Sequence, residues 1–347
     1  MTENTLARRD FLNALAATAT GCLLWPAQSL AASSEIRISY NLPKDHPTGQ
    51  FFEFLAKEIE KNTASTSVNI KTKTFPNGQL FTDAQLPDAI STGSVEIGQI
   101  NIGFINSADA SVGQVVNLPC LWNSWEAMWW AEDNQSYRAT FQALFNKIGM
   151  HLIGFTTYGS AEFYANKPVK LPTDLKGLRL RSFGTELSRF MQILGASPVT
   201  LSSQEMYQAT QRGTIDGFIT GPSSAYERKL YEVVKYSSAA ALLYISFPAA
   251  VNLKWWQNLP QNTQDAITKA ARTAELKIRD LARNIDKEST QKIEKLGVRI
   301  LRLKPEERAM WEKAAKPIYD DYLKRTGTKG AAMMEIVREA NLKNPPI

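Results

Sequence analysis

An α/β fold with material for two hydrophobic cores is expected from this sequence on three grounds. Its 347 residues are 44% hydrophobic and 21% charged, the balance of a folded globular chain rather than a disordered or membrane-spanning one. From Glu35 onward, short period-two apolar runs alternate with runs at helical spacing, the pattern of α/β layers around a largely parallel sheet. A second set in the same style begins near Met150, and the length suffices for a second core.

Ahead of the first strand, "ARRDFLNALAATATGCLLWPAQSLAA" carries paired Arg8 and Arg9, an apolar stretch from Phe11 to Leu24, and small residues at Ser29 and Ala31. These are the parts of an export signal, placed here over residues 1–31. The apolar stretch is shorter than the about 20 residues a permanent span needs. Arg8-Arg9-Asp10-Phe11-Leu12 resembles a twin-arginine signal, although Ala7 and Asn13 depart from its usual flanks. Cys22 after Ala19-Thr20-Gly21 loosely resembles a lipoprotein box that lacks its leucine. Cleavage near Ala31 instead leaves Cys120 without a cysteine partner.

Residues 35–42 alternate as a strand, 46–63 space their apolar residues as a helix, and 67–76 alternate again. A turn at Pro76 to Gln79 precedes a helix over 83–93 ended by Gly93, then a strand over 95–102. In "NLPCLWNSWEAMWW", Trp125 and Trp129 share a helix face and read as core, whereas Trp122 precedes that helix and is the better pocket candidate. The second set reads as strands over 150–157, 162–169 and 175–182, a helix over 186–194, a helix from Gln204 capped by Gly213, and a strand over 215–220. From an Asn262 cap to Gly297, Ile267, Ala271, Ala274, Ile278, Leu281 and Ile285 recur three or four apart. This makes one helix about 50 Å long, expected to lie across both lobes.

The net charge is +6, and the first 31 residues leave it unchanged because Arg8 and Arg9 cancel Glu3 and Asp10. Lys and Arg are spread among Asp and Glu without a basic cluster, so no nucleic acid partner is expected. Only His46 and His151 are present, with no paired cysteines or acidic calcium loop, so no metal site is expected. His46 follows the first strand, where α/β sheets present ligands; a solvated loop histidine is the plain alternative. No dinucleotide, P-loop or nucleophile-elbow motif opens a helix after a strand, which lowers the case for an enzyme or a bound cofactor.

Arg179 and Arg181 share the strand face opposite Leu178 and Leu180. A surface pair is the plain reading. Against it, Arg181 ends its strand at the carboxyl edge, where open α/β sheets bind ligands, and a guanidinium matches a carboxylate through two parallel hydrogen bonds.

Five ordered stretches carry a resemblance: "FPNGQLFTDAQLPDAISTGSVEIG" (75–98), "DLKGLRLRS" (174–182), "LGASPVTLSSQEMYQATQRGTIDG" (194–217), "LYEVVKY" (230–236) and the Leu259-Pro260 lead into the long helix. Together they resemble the extracytoplasmic solute receptors of tripartite ATP-independent periplasmic (TRAP) transporters, the DctP family. The resemblance implies a two-lobed periplasmic binding protein fold, class II-like, with crossing hinge strands and a long carboxyl-terminal helix spanning both lobes. Lobe I would comprise residues 32–158 and 246–285, and lobe II residues 159–245 and 286–347. It further implies a periplasmic receptor that catalyses nothing and hands a small organic acid to small and large membrane subunits, with uptake driven by an ion gradient.

The family's carboxylate-binding arginine lies in G-L-x-x-R and falls here on Arg181. Thr220 stands where many relatives carry Asn, and Ala161 where the sialic acid receptors carry a further Arg. Asn41, Asn101, Phe183 and Phe247 match other cleft positions. Phe183, Trp122 and Tyr158 would wall the pocket with rings and favour a compact carboxylate bearing an apolar or aromatic group. Two other roles remain open at this point: a receptor presenting its ligand to a membrane sensor, and a twin-arginine-exported periplasmic enzyme.

Overall fold

The computed structural model describes residues 32–345 apart from Asn106 and Ala108, so the expected export signal lies outside the described residues. Strand β1 (Ala32–Ser39), helix α1 (Pro47–Thr63), β2 (Val68–Phe75), α2 (Leu86–Ser91) and β3 (Ile97–Gln99) build the first set. Helices α3 (Trp125–Asp133) and α4 (Gln135–Lys147) lead into β4 (Met150–Ala165). The second set is β5 (Arg179–Ser182), α5 (Thr185–Ile193), β6 (Ser197–Thr200), α6 (Met206–Gln211), β7 (Gly217–Thr220) and α7 (Pro222–Glu227). The chain closes with β8 (Tyr236–Ser237), β9 (Leu243–Asn252), α8 (Leu253–Gln257), α9 (Gln261–Lys295), β10 (Arg299–Ile300) and α10 (Pro305–Lys343).

The strands lie in the order β2-β1-β3-β9-β4-β7-β5-β6, with β8 beside β4 and β10 beside β8. Within each half the pairings are parallel, β1 with β3 and β5 with both β6 and β7. The sheet as a whole is mixed rather than largely parallel, because β9 runs antiparallel to β3 and β4, and β4 antiparallel to β7. Two neighbouring segments that cross between the halves in opposite directions can pair only in that way. These are the crossing strands of a two-lobed fold. β4 is one 16-residue strand where two shorter ones were expected. Register shifts at Leu152/Gly154 and Thr157/Gly159 bend it without breaking it.

Each half has its own core. α1 turns Phe51, Phe52, Leu55 and Ile59 onto Ile36, Ile38 and Ile97, while Met206, Ile215 and Phe218 cluster in the other half. α9 serves both: Ile267, Ala271 and Ile278 join the first cluster and Ile293 the second. It begins at Gln261 behind Pro260, not at an Asn262 cap; the Asn262 side-chain amide donates to Ser67 instead. α10 has no counterpart in the sequence reading. Pro317 and a kink at Gly327 (φ 59°, ψ −139°) interrupt its periodicity. It is nevertheless a second tie between the halves, with Trp311 buried against Phe163 and Phe190 and the Tyr322 hydroxyl donating to the Val112 carbonyl.

α9 is also tied to the bend of β4. Asp286 Oδ2 accepts from the backbone N–H (2.7 Å) and the hydroxyl (2.6 Å) of Ser160. Gly159 is required beside it, since a Cβ there would lie 2.7 Å from Asp286 Oδ1. Burial lifts the Asp286 carboxyl to about 7, against the pull of Ser160. The folded state therefore holds this proton more tightly than the unfolded chain, so stability falls as pH rises from about 4 to about 7. Glu132, raised to about 7 by burial, acts in the same direction, whereas Asp133, held down near 2 by Arg279 and Arg272, loses its contribution only in stronger acid. In Asp286→Asn, the drop in melting temperature between pH 4 and 7 is expected to shrink; an identical pH profile would contradict this assignment.

Candidate functional site

Parallel strands aim their carboxyl ends into a common crevice, and there the candidate residues converge. Asn41 follows β1, Asn101 follows β3, Arg181 lies in β5 with Phe183 just behind it, Ser203 follows β6 and Thr220 ends β7. Tyr158, Ile245 and Phe247 come from the crossing strands. With Leu42, Asp83 and Ser224 they enclose a cavity of about 20 Å³, room for a single water. An organic acid can therefore enter only if these walls part.

The two arginines of β5 separate. Arg179 stays at the surface, where its guanidinium makes two hydrogen bonds to the Asp216 carboxylate (2.8 and 3.1 Å). Arg181 is 2% exposed. Its Nε donates to the Leu201 carbonyl at 2.9 Å and its Nη1 to the Ile219 carbonyl at 3.2 Å, and its guanidinium lies 5.2 Å from the centre of the Phe183 ring. Those two bonds occupy two of its five N–H donors. The nearest carboxylate oxygen, Asp83 Oδ2, is 4.0 Å from Nη2, beyond hydrogen-bond reach. Burial pulls Arg181 down to about 10, with Asp83 opposing, so it remains a cation at neutral pH.

The other candidates divide between walls and supports. Tyr158 accepts from the Gly221 N–H (3.1 Å), pairs with the Thr220 hydroxyl (2.9 Å) and meets Phe247 edge-on, which fixes the aromatic wall. Asn101 spends its side-chain oxygen capping the turn at Gly103, 3.0 Å away. Asn41 reaches across the crevice, donating to Ser203 at 2.8 Å. His46 is fully buried and does not line the cavity, contrary to the solvated-loop alternative. Its Nδ1 accepts from Thr48 N–H as the cap of α1, and its Nε2 meets the Ser223 hydroxyl at 3.1 Å. Burial and nearby Arg228 push its pKa well below the ordinary imidazole range, so it is a neutral strut behind Tyr158.

Trp122 requires a correction: it is buried in a third hydrophobic cluster, shared with Leu121, Met128 and Trp129, and does not line the cavity. The short segment before α3 is itself covered, because Asn341 of α10 donates to the Leu121 carbonyl.

Three polar residues escaped the sequence reading. Asp83 reads in the sequence as the start of a helix, yet α2 begins only at Leu86, and Asp83 is 3% exposed. Ser203 donates to Asp83 Oδ2 from its hydroxyl (3.1 Å) and its N–H (3.4 Å). Arg228, which reads as one charge of a polar "YERK" turn, donates to the Asn41 carbonyl. Asp83 just before α2, Ser203 just beyond β6 and Arg228 just beyond α7 all sit next to the end of an element, which was the available signal. Burial lifts the Asp83 carboxyl above its ordinary value, with Arg181, Arg228 and Ser203 opposing.

A larger groove of about 490 Å³ lies between α4 and α10, lined in part by Ala139, Leu144, Lys147 and Lys329, and no strand end contributes to it. Among the described residues, no cluster of His, Cys, Asp and Glu could hold a metal ion, and no helix is long and apolar enough to cross a membrane.

Two sheet halves joined by crossing strands, with a buried guanidinium at the strand ends between them, define a two-lobed solute-binding protein. Residues 38–326 match the family described as bacterial extracellular solute-binding protein, family 7 (DctP), and the chain belongs to that family of solute receptors, which are not enzymes. It is 26% identical over 332 residues to the C4-dicarboxylate-binding periplasmic protein DctP of Rhodobacter capsulatus, covering 94% of this chain and 98% of that one. Its fold matches a TRAP periplasmic solute binding protein from Shewanella oneidensis with bound succinate, at TM-score 0.82 and 24% identity, over 89% of this chain and 100% of the other. It also matches a Bordetella pertussis extracytoplasmic solute receptor binding pyroglutamic acid, at TM-score 0.81 and 23% identity, over 88% of this chain and 100% of the other.

Proposed function

We propose that this chain is the periplasmic receptor of a TRAP transporter and binds a small organic acid between its lobes through a pair of the acid's carboxylate with Arg181. The observation that carries this is a guanidinium 2% exposed, charged, and without a carboxylate within hydrogen-bond reach. The solutes named for the two structural relatives above, succinate and pyroglutamic acid, are both carboxylic acids. The loaded receptor would then deliver its solute to the small and large membrane subunits.

Lobe I comprises residues 32–158 and 246–285 in this reading, and lobe II residues 159–245 and 286–347. The hinge is the bent part of β4 with β9 beside it, and the acid favours the closed form because only there do both lobes touch it. A thermal-shift screen of small mono- and dicarboxylates tests the function. An acid at a hundred times its dissociation constant adds about 2.7 kcal/mol of stability, and a screen in which no carboxylate raises the melting temperature would refute the proposal.

Closure has its own test. Beside Asn101 and Phe183 the two halves meet backbone to backbone: a Cβ on Gly184 would lie 2.7 Å from Gly103 Cα. Gly184→Ala therefore wedges the lobes apart and lowers the closed fraction. Acid binding measured by calorimetry is expected to weaken by at least about tenfold, because apparent affinity scales with the competent fraction. Unchanged affinity would show that this contact does not form on closing.

A further inference from the structure

We infer that Asp83 selects among acids: the site favours a monocarboxylate carrying an N–H or O–H donor near its carboxylate over a second carboxylate. This rests on the Arg181 reading above and adds the chemistry of the opposite wall. Among the described residues, Asp83 is the one acid lining the cavity, facing Arg181 across 4.0 Å. Its Oδ2 is taken by Ser203, while Oδ1 is buried and without a hydrogen-bond partner. Asn41 Oδ1, on the same wall, is buried and equally unpaired. Both atoms are acceptors, so the solute must supply donors to satisfy them; an acid lacking donors leaves them stranded on binding.

Charge points the same way. Among the described residues, Arg181 is the one cation and Asp83 the one acid enclosing the cavity, so a first carboxylate meets Arg181. A second one placed beside Asp83 would bring like charges together in a crevice closed to water.

The experiment is calorimetric titration of the purified chain with two shape-matched pairs and one diacid: pyroglutamate against cyclopentanecarboxylate, lactate against isobutyrate, and succinate. In at least one pair the donor-bearing acid is expected to bind at least about tenfold more tightly than its donor-free match, and more tightly than succinate. In Asp83→Asn, succinate is expected to gain at least about tenfold relative to the preferred hydroxy or lactam acid. Acids that bind through Arg181 but show equal affinities within both pairs, or succinate binding tightest to the unaltered chain, overturn the role of Asp83 and leave the Arg181 reading standing. No binding by any of the five overturns the inference, while the Arg181 reading falls only if no carboxylate in the wider thermal-shift screen binds. The matched pairs need no variant, so the inference stays testable if Asp83→Asn fails to fold.

Discussion

Arg181→Ala is expected to weaken binding of the acid by roughly thirty-fold to several thousand-fold. Removing one partner of a buried, hydrogen-bonded charge pair costs about 2–5 kcal/mol, and each 1.4 kcal/mol is about tenfold in affinity. The effect is large because the crevice gives the solute's carboxylate no alternative lining cation: among the described residues, Arg181 is the only basic one enclosing the cavity. Arg181→Lys should recover little, since an ammonium cannot donate to the Leu201 and Ile219 carbonyls and also present a two-pronged face to a carboxylate. Calorimetric titration checks both variants. Wild-type affinity in Arg181→Ala would remove the guanidinium from the binding account.

The second large effect is on stability and lies away from the crevice. Glu275 of α9, its side chain 1% exposed, accepts from the Phe155 N–H at 2.6 Å, from Arg138 at 2.6 and 2.8 Å, and from Arg272 at 3.0 Å. It therefore binds the long helix to β4 and to α4 at one point. Glu275→Ala strands the buried Phe155 N–H and removes a partner from Arg138 and Arg272, which are partly exposed and of which Arg272 keeps Asp133, so unfolding free energy should fall by about 1–3 kcal/mol, the cost of a buried donor left unpaired. Denaturant titration measures it. A loss below about 1 kcal/mol would mean that water replaces the carboxylate at little cost.

How much of this was readable beforehand depends on whether the signal was local. α1 and β2 are local patterns, and their observed ends fall within one residue of the expected ones, whereas β5 begins four residues later than expected and β9 has no counterpart in the sequence reading. Arg181 was readable because a cation at the inward-facing end of a strand has few structural uses, whereas the partner that keeps Arg179 at the surface, Asp216, lies 37 residues on. β4 reads as two strands, 150–157 and 162–169, in the sequence; only the pairing with β9 across ten residue pairs, with a register shift at Thr157/Gly159, shows one bent strand. Trp122 was misplaced because the cover supplied by α10 comes from more than 200 residues further along the chain. Asp83 was passed over for the same reason, its partners Ser203 and Arg181 being remote in sequence. The site's geometry is therefore a property of lobe closure, which no short window contains.

The most direct measurement is the crystal structure of the protein grown with the acid that gives the largest thermal shift. The account predicts the acid's carboxylate on Arg181, with two N–H···O distances of about 2.7–2.9 Å, enclosed by residues of both halves. An acid seated on an outer face, with the Arg181 guanidinium still bonded only to the Leu201 and Ile219 carbonyls, would contradict it.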